Sequence, residues 1–353
     1  MRAMPASPAR AAAHTPRHPA ETAPPYRRGL RCSTSAGALL LVMLWAAPLP
    51  APAQSQSPPS AAVEATPDDY RRLNLELVDR HLLPRYAALA ETTATLDARA
   101  TDYCAQPDAS RRDALVSAWH AGTDAWQGIQ HVRFGPVELF MRSMRISFWP
   151  DPRNTAGRQL DTLLASRDAA ALAPEAFARA TIAVQGLPAL ERLLADPDAL
   201  TGQDADESAW RCAVLRAITH NLASMAADTL QAWRDGDEAY RQVIARAAEP
   251  GGHYHLDREA TQDLFKSLNT ALELVAEHKL ARPLGASRQA ARPQLTEAWR
   301  SQRSLAHVRN NLAAAEAMYL GEAGAGSGGG GSSGGGGGFS GFVREIAGDA
   351  ALD

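Results

Sequence analysis

The 353 residues carry 36 Lys and Arg against 39 Asp and Glu, a formal charge of −3. Six of the cationic residues but only Glu21 among the acids fall in residues 1–53, so the remainder holds 30 against 38, a formal −8. That balance, with no Lys or Arg run to form a basic patch, argues against nucleic acid and anionic membrane surfaces as partners.

Arg27, Arg28 and Arg31 precede an apolar run, Ala36 to Leu49, that closes on Ala51-Pro52-Ala53. The pattern predicts a cleaved secretory signal over 1–53. The run is shorter than the roughly 20 residues that span a bilayer, so no membrane span is expected in the mature chain. Cys32 leaves with the signal, and Cys104 and Cys212 remain as two thiols in an oxidising compartment. They are expected to form a disulfide, with two buried free thiols as the alternative.

Residues 54–67 are rich in Gln, Ser, Pro and Ala and read as a disordered tether. From Asp68, Leu73, Leu77, Leu82 and Leu89 fall close to helical spacing, and Pro84 is expected to kink that helix rather than end it. A second helix spans about 110–130 with Leu115, Trp119, Trp126 and Ile129 on one side, Ser110 as its N-cap and Gly135-Pro136 as its stop. A shorter helix leads into the ordered loop Phe148 to Asn154, which holds two prolines. Further helices are expected at about 157–165, 174–194, 209–234, 256–281 and 295–320, followed by a short amphipathic one at 339–351. No period-2 strand is found, so the reading is all-α.

A mature chain of about 300 residues exceeds what one core usually supports, which predicts two packed helical bundles. We place them at 68–201 and 205–353, because Pro197, Gly202 and five acidic residues interrupt the apolar pattern over 196–208. The tract 324–338, almost wholly Gly and Ser, cannot repay its ordering entropy and is expected to be a floppy loop.

Chemistry-bearing candidates are few. No His-Glu-x-x-His occurs, which removes the helical zinc arrangement. His120 and Asp124 stand one turn apart and could share a metal with Glu191, while His253, His255 and His307 are weaker candidates. Arg133, Asp151, Arg153 and Arg300 are grouped as a cleft whose guanidinium forks hold a carboxylate- or phosphate-bearing ligand. Trp149, in a loop between Phe148 and Pro150, could line it, whereas the other mature tryptophans are read as core.

The stretch Gln185 to Leu194, QGLPALERLL, resembles the Gly-x-His-x-x-Glu motif of the imelysin family, with Gly186 and Glu191 in place and Pro188 at the histidine position. Family-like patches also run over 118–154 (AWHAGTDAWQGIQHVRFGP, continuing to FWPDPRN), 210–233 and 295–319, which includes TEAWRSQRSL. The resemblance implies two helical bundles with a site between them, Gly186 and Glu191 in that site, a periplasmic location and a link to iron uptake. It also implies envelope iron-uptake components as partners and iron or another divalent metal as the ligand. The family is nominally metallopeptidase, but a zinc peptidase needs three protein ligands and an open position, and proline supplies none. The chain is therefore most similar to the histidine-lacking branch and is expected to bind iron, a metal chelate or a partner without catalysis. A metallopeptidase using Glu191 with a non-motif histidine such as His120, and a helical interaction module, are the alternatives. Similar proteins carry further helices beyond the region of Phe339, so the resemblance implies a second bundle shorter than theirs.

Overall fold

The computed structural model describes residues 64–196, 198–322, 337–348 and 351–352. The signal expected over 1–53, most of the tether and the Gly/Ser tract up to residue 336 lie outside the described residues.

Helix α1 (Pro67–Leu77) starts where the sequence supplies a complete cap. Thr66 accepts from the Asp69 amide, the Asp69 carboxylate accepts from the Thr66 amide, and Pro67 stands at the first helical position. The helix thus begins inside the expected tether. After α1 the backbone widens into a π-helical turn, Val78–Leu82, and resumes as α2 (Leu83–Ala105). Pro84 has no N–H to give the carbonyl four residues back, so a bulge in the ladder ahead of it is the expected response. Helix α3 (Ala109–Ile129) is capped by Asp108, which accepts from the Arg111 amide, and not by Ser110. A carboxylate one residue before the helix reaches the orphan N–H, whereas Ser110 already lies inside the first turn.

A short α4 (Arg142–Ile146), α5 (Thr155–Ser166) and the single turn α6 (Pro174–Phe177) lead to α7 (Leu187–Leu194). The continuous helix expected over 174–194 is broken. Gly186 is extended, and a Cβ there would lie 2.2 Å from the Ile146 carbonyl oxygen. The chain must pass this close to the end of α4 before α7 begins, with Pro188 in its first turn. The 30-residue α8 (Ala205–Arg234) runs antiparallel to α2: Cys212 is bonded to Cys104, Thr219 donates to Asp97 at 2.7 Å, and Trp233 stacks on Tyr86. The disulfide has a Cα–Cα distance of 5.6 Å. Trp119, Trp126, Trp233, Tyr86 and a set of fully buried leucines fill the centre of the α2, α3 and α8 layer.

Helix α9 (Tyr240–Ala245) precedes α10 (Asp257–Glu273), which packs on α1. There Arg71 grips Asp257 with two nitrogens at 3.0 Å, and Asn74 donates to the Asp257 carbonyl at 2.8 Å. Helices on the two sides of residues 196–208 therefore pack on one another, α2 with α8 and α1 with α10. A second π-helical stretch, Leu274–Ala281, again lies two residues ahead of a proline, Pro283 in α11 (Arg282–Leu284). Helix α12 (Ser304–Leu320) is shorter than the 295–320 expected, and α13 (Phe339–Ala347) closes the described chain. Among the described residues there is no strand, and no helix is long and apolar enough to cross a membrane.

The late start of α12 has a tertiary cause. In a continuous helix the Ser301 amide would bond the Glu297 carbonyl, but it donates instead to Glu191 at 3.0 Å. The Glu297 carbonyl accepts from the Ser304 hydroxyl at 2.7 Å, and Ala298 and Gln302 take positive φ of 54° and 59°. Left-handed non-glycine residues are costly and persist only where surrounding contacts fix them.

Candidate functional site

Four segments meet around Glu191: the loop 148–154, the start of α7, the second π-helical stretch and residues 294–300. Glu191 is buried, and its Oε1 accepts from both the amide and the hydroxyl of Ser301, at 3.0 and 2.8 Å. Asp151, at the rim, accepts from the Thr155 and Ala156 amides at 2.7 and 2.9 Å and so caps α5. Both carboxylates of this cleft are thus held by backbone N–H groups.

The cations there are less engaged. Arg192, Arg282 and Arg300 all line the cleft. Arg192 donates to Asn154, and burial followed by the neighbouring Arg300 lowers its pKa. Arg300 lies flat over Trp299 at 4.3 Å, and neither it nor Arg282 has an ion-pair partner among the described residues. His278 adds a buried Nδ1 with no hydrogen-bond partner. Three guanidinium groups face two carboxylates, with Trp149, Trp299 and Phe148 as aromatic walls. In a chain of net negative charge, this is a local anion-attracting cleft.

Behind it lies a smaller cavity of about 40 Å³ that shares Trp149, Pro188, Glu191 and Ala298 with the cleft. Glu297 and His307 line its inner side, with Lys279 buried behind them. Lys279 donates to Glu297 and to Gln127, each at 2.6 Å, and His307 Nδ1 is 3.1 Å from the same Glu297 oxygen. Burial alone would raise the Glu297 pKa, but the Lys279 ammonium and His307 overcome it and hold the carboxyl far below its ordinary range. Burial lowers the Lys279 pKa, partly offset by Glu297.

Of the residues expected in the site, Trp149, Asp151, Glu191 and Arg300 come together. Arg133 and Arg153 do not line the cleft: Arg133, in the turn after α3, has Glu138, Tyr86 and the buried Glu297 as its ionisable neighbours, and Arg153 is exposed with its carbonyl taken by Arg158. Gly186 acts through backbone proximity to α4 rather than by lining the cleft. The proposed sharing of a metal by His120, Asp124 and Glu191 fails on geometry. Asp124 is committed to Arg303 at 2.7 Å and to Asn310 at 2.9 Å, and His120 packs on the Trp119 ring. Among the described residues no three His, Cys, Asp or Glu side chains are placed to hold a metal ion. The described residues around Glu191 therefore do not fit a resident catalytic metal, with proline at position 188 and Glu191 turned to Ser301.

Trp299 was read as core and proves to be a cleft wall, while Arg192, His278, Lys279, Arg282 and Glu297 carried no motif. For Lys279 a signal existed: Leu264, Leu268, Ala271, Val275 and Lys279 repeat at three and four residues and are all buried, so the register assigned it a core position.

Fold and site together define an all-helical protein with a cationic cleft and, among the described residues, no protein ligand set for a metal. The chain belongs to the imelysin family, whose model matches residues 82–353. It is 24% identical over 255 residues to the iron-regulated protein A of Synechococcus elongatus, spanning 70% of this chain and 64% of that relative's length. Two crystal structures share the fold. An imelysin-like protein from Psychrobacter arcticum has a TM-score of 0.59 at 21% identity, covering 73% of this chain and 76% of its own. A putative iron-regulated protein A precursor from Parabacteroides distasonis has a TM-score of 0.66 at 14% identity, covering 82% and 83%.

Proposed function

We propose that this protein acts without catalysis in iron acquisition, holding an anionic, carboxylate-bearing metal chelate in the cleft between loop 148–154 and residues 294–300. The observation that carries this reading is the charge of the cleft: three arginines against two carboxylates, with both carboxylates already accepting from backbone amides and Arg282 and Arg300 without an ion pair among the described residues. Planar guanidinium groups suit carboxylates, and aromatic walls shield the contact from water. The iron-regulated naming of two similar proteins agrees with a role in iron handling. The signal expected over 1–53 would deliver the chain to the periplasm, and the Cys104–Cys212 disulfide suits an oxidising compartment.

Titration with ferric nitrilotriacetate, followed by quenching of the Trp149 and Trp299 fluorescence, tests the reading. Arg300→Ala should weaken binding about tenfold or more, since a charge-assisted hydrogen bond contributes roughly 1.5–3 kcal/mol. Absence of binding, or a zinc-dependent peptidase activity that disappears in Glu191→Ala, would overturn it.

A further inference from the structure

We propose that the cavity behind Glu191 and Pro188 is a hydroxyl-binding subsite, and that the ligand class of the cleft is an α-hydroxycarboxylate. Its carboxylates would lie on the arginines and its hydroxyl would enter the cavity. This rests on the cleft reading above and adds what the inner chamber recognises.

Two buried polar atoms on the cavity's lining residues have no partner: His307 Nε2 and Gln127 Nε2. His307 is 1% exposed and Gln127 is 0% exposed, so neither atom is simply hydrated from outside. Their surroundings fix what each offers. The Glu297 carboxylate accepts from the Lys279 ammonium at 2.6 Å. A carboxylate can only accept, so the His307 Nδ1 carries the proton of its bond to Glu297, and in that tautomer Nε2 is the ring's open acceptor. The Gln127 Oε1 is consumed by Lys279 and Gln130, which orients the amide so that Nε2 is a donor without an acceptor. One acceptor and one donor on the wall of one small cavity match a single O–H group, which donates to His307 and accepts from Gln127.

The size agrees. About 40 Å³ exceeds the 10–15 Å³ or so that one water-sized group requires, yet it is too small for a whole chelator. The four shared residues make the cavity adjoin the cleft that the arginines line, and the compact ring of Pro188 forms part of the common wall. A carboxylate on Arg300 with a hydroxyl one or two bonds away is the pattern of an α-hydroxycarboxylate. A site built to hydrogen-bond a ligand hydroxyl discriminates strongly against an analogue without it, because the buried partners are left unpaired.

Calorimetric titration with citrate and with tricarballylate, which differ only in the central hydroxyl, reads this directly. The expected result is citrate binding at least tenfold more tightly, with the difference erased by His307→Phe and both ligands weakened alike by Arg300→Ala. Equal affinity for the two, or a preference that survives His307→Phe, overturns the hydroxyl subsite. Equal, Arg300-dependent binding leaves the cleft reading standing, whereas binding of neither ligand removes both. The wild-type comparison needs no variant, so a folding defect in His307→Phe would not shield the proposal.

Discussion

The molecule uses one backbone device twice and obtains different results. In both places a π-helical stretch lies two residues ahead of a proline and turns an ionisable side chain inward: His81 ahead of Pro84, and Lys279 ahead of Pro283. Each belongs to a histidine–glutamate pairing. In the first, His81 Nδ1 meets Glu322 at 2.9 Å and His81 Nε2 meets His131 at 3.2 Å, so both ring nitrogens are used. In the second, His307 Nδ1 meets Glu297, and Nε2 meets nothing beside a cavity. A buried polar group whose every atom is partnered is satisfied within the protein, whereas one left open beside a cavity has a hydrogen bond to offer a ligand. Geometry around the imidazole, not its pairing with a carboxylate, separates the two roles.

The largest test of that contrast is removal of each glutamate's cation or charge. Lys279→Met strands Glu297 in the interior and should cost about 3–5 kcal/mol in urea unfolding, whereas Glu322→Gln, at a partly exposed pair, should cost about 1 kcal/mol or less. Similar losses at both sites would erase the distinction.

Next in size is a pH effect at the closed cluster. Burial lowers the pKa of His81 and lowers that of His131 well below the ordinary 6.5, with the neighbouring His81 and Arg85 adding to the second. The unfolded chain then takes up protons that the folded chain refuses. Stability is complete above about 6.5 and falls as pH drops through that value, with a limiting slope of about 1.4 kcal/mol per pH unit for each histidine. His131→Gln should remove one histidine's share, which chemical denaturation from pH 8 to 5.5 would show as a shallower decline. An unchanged slope would mean that the pair is not the source.

The smallest effect is expected at the open site. Arg300 has no ion pair among the described residues, so Arg300→Ala should leave stability within about 0.5 kcal/mol of wild type. A thermal melt showing a large loss would make Arg300 a structural residue and weaken its assignment to ligand.

The sequence was most legible where information is local. Apolar spacing at three and four residues, with no period-2 run, determined the helical class, and Pro84 announced a disturbed ladder. Glu191 and Pro188 of the quoted motif line the cleft, whereas Gly186 packs against the end of α4. Distance along the chain hid the rest. That Ser301 would surrender its helical hydrogen bond to Glu191, 110 residues away, has no local signature, and it both shortens α12 and shapes the cleft. Arg192, Arg282 and Arg300 are ordinary surface cations until three separate segments bring them together, and Arg133, an equal candidate, does not line the cleft they form. Helical periodicity is set by neighbours within two turns, so the chain alone settles it. Which charges share a low-dielectric site depends on long-range packing, and only the tertiary structure decides that.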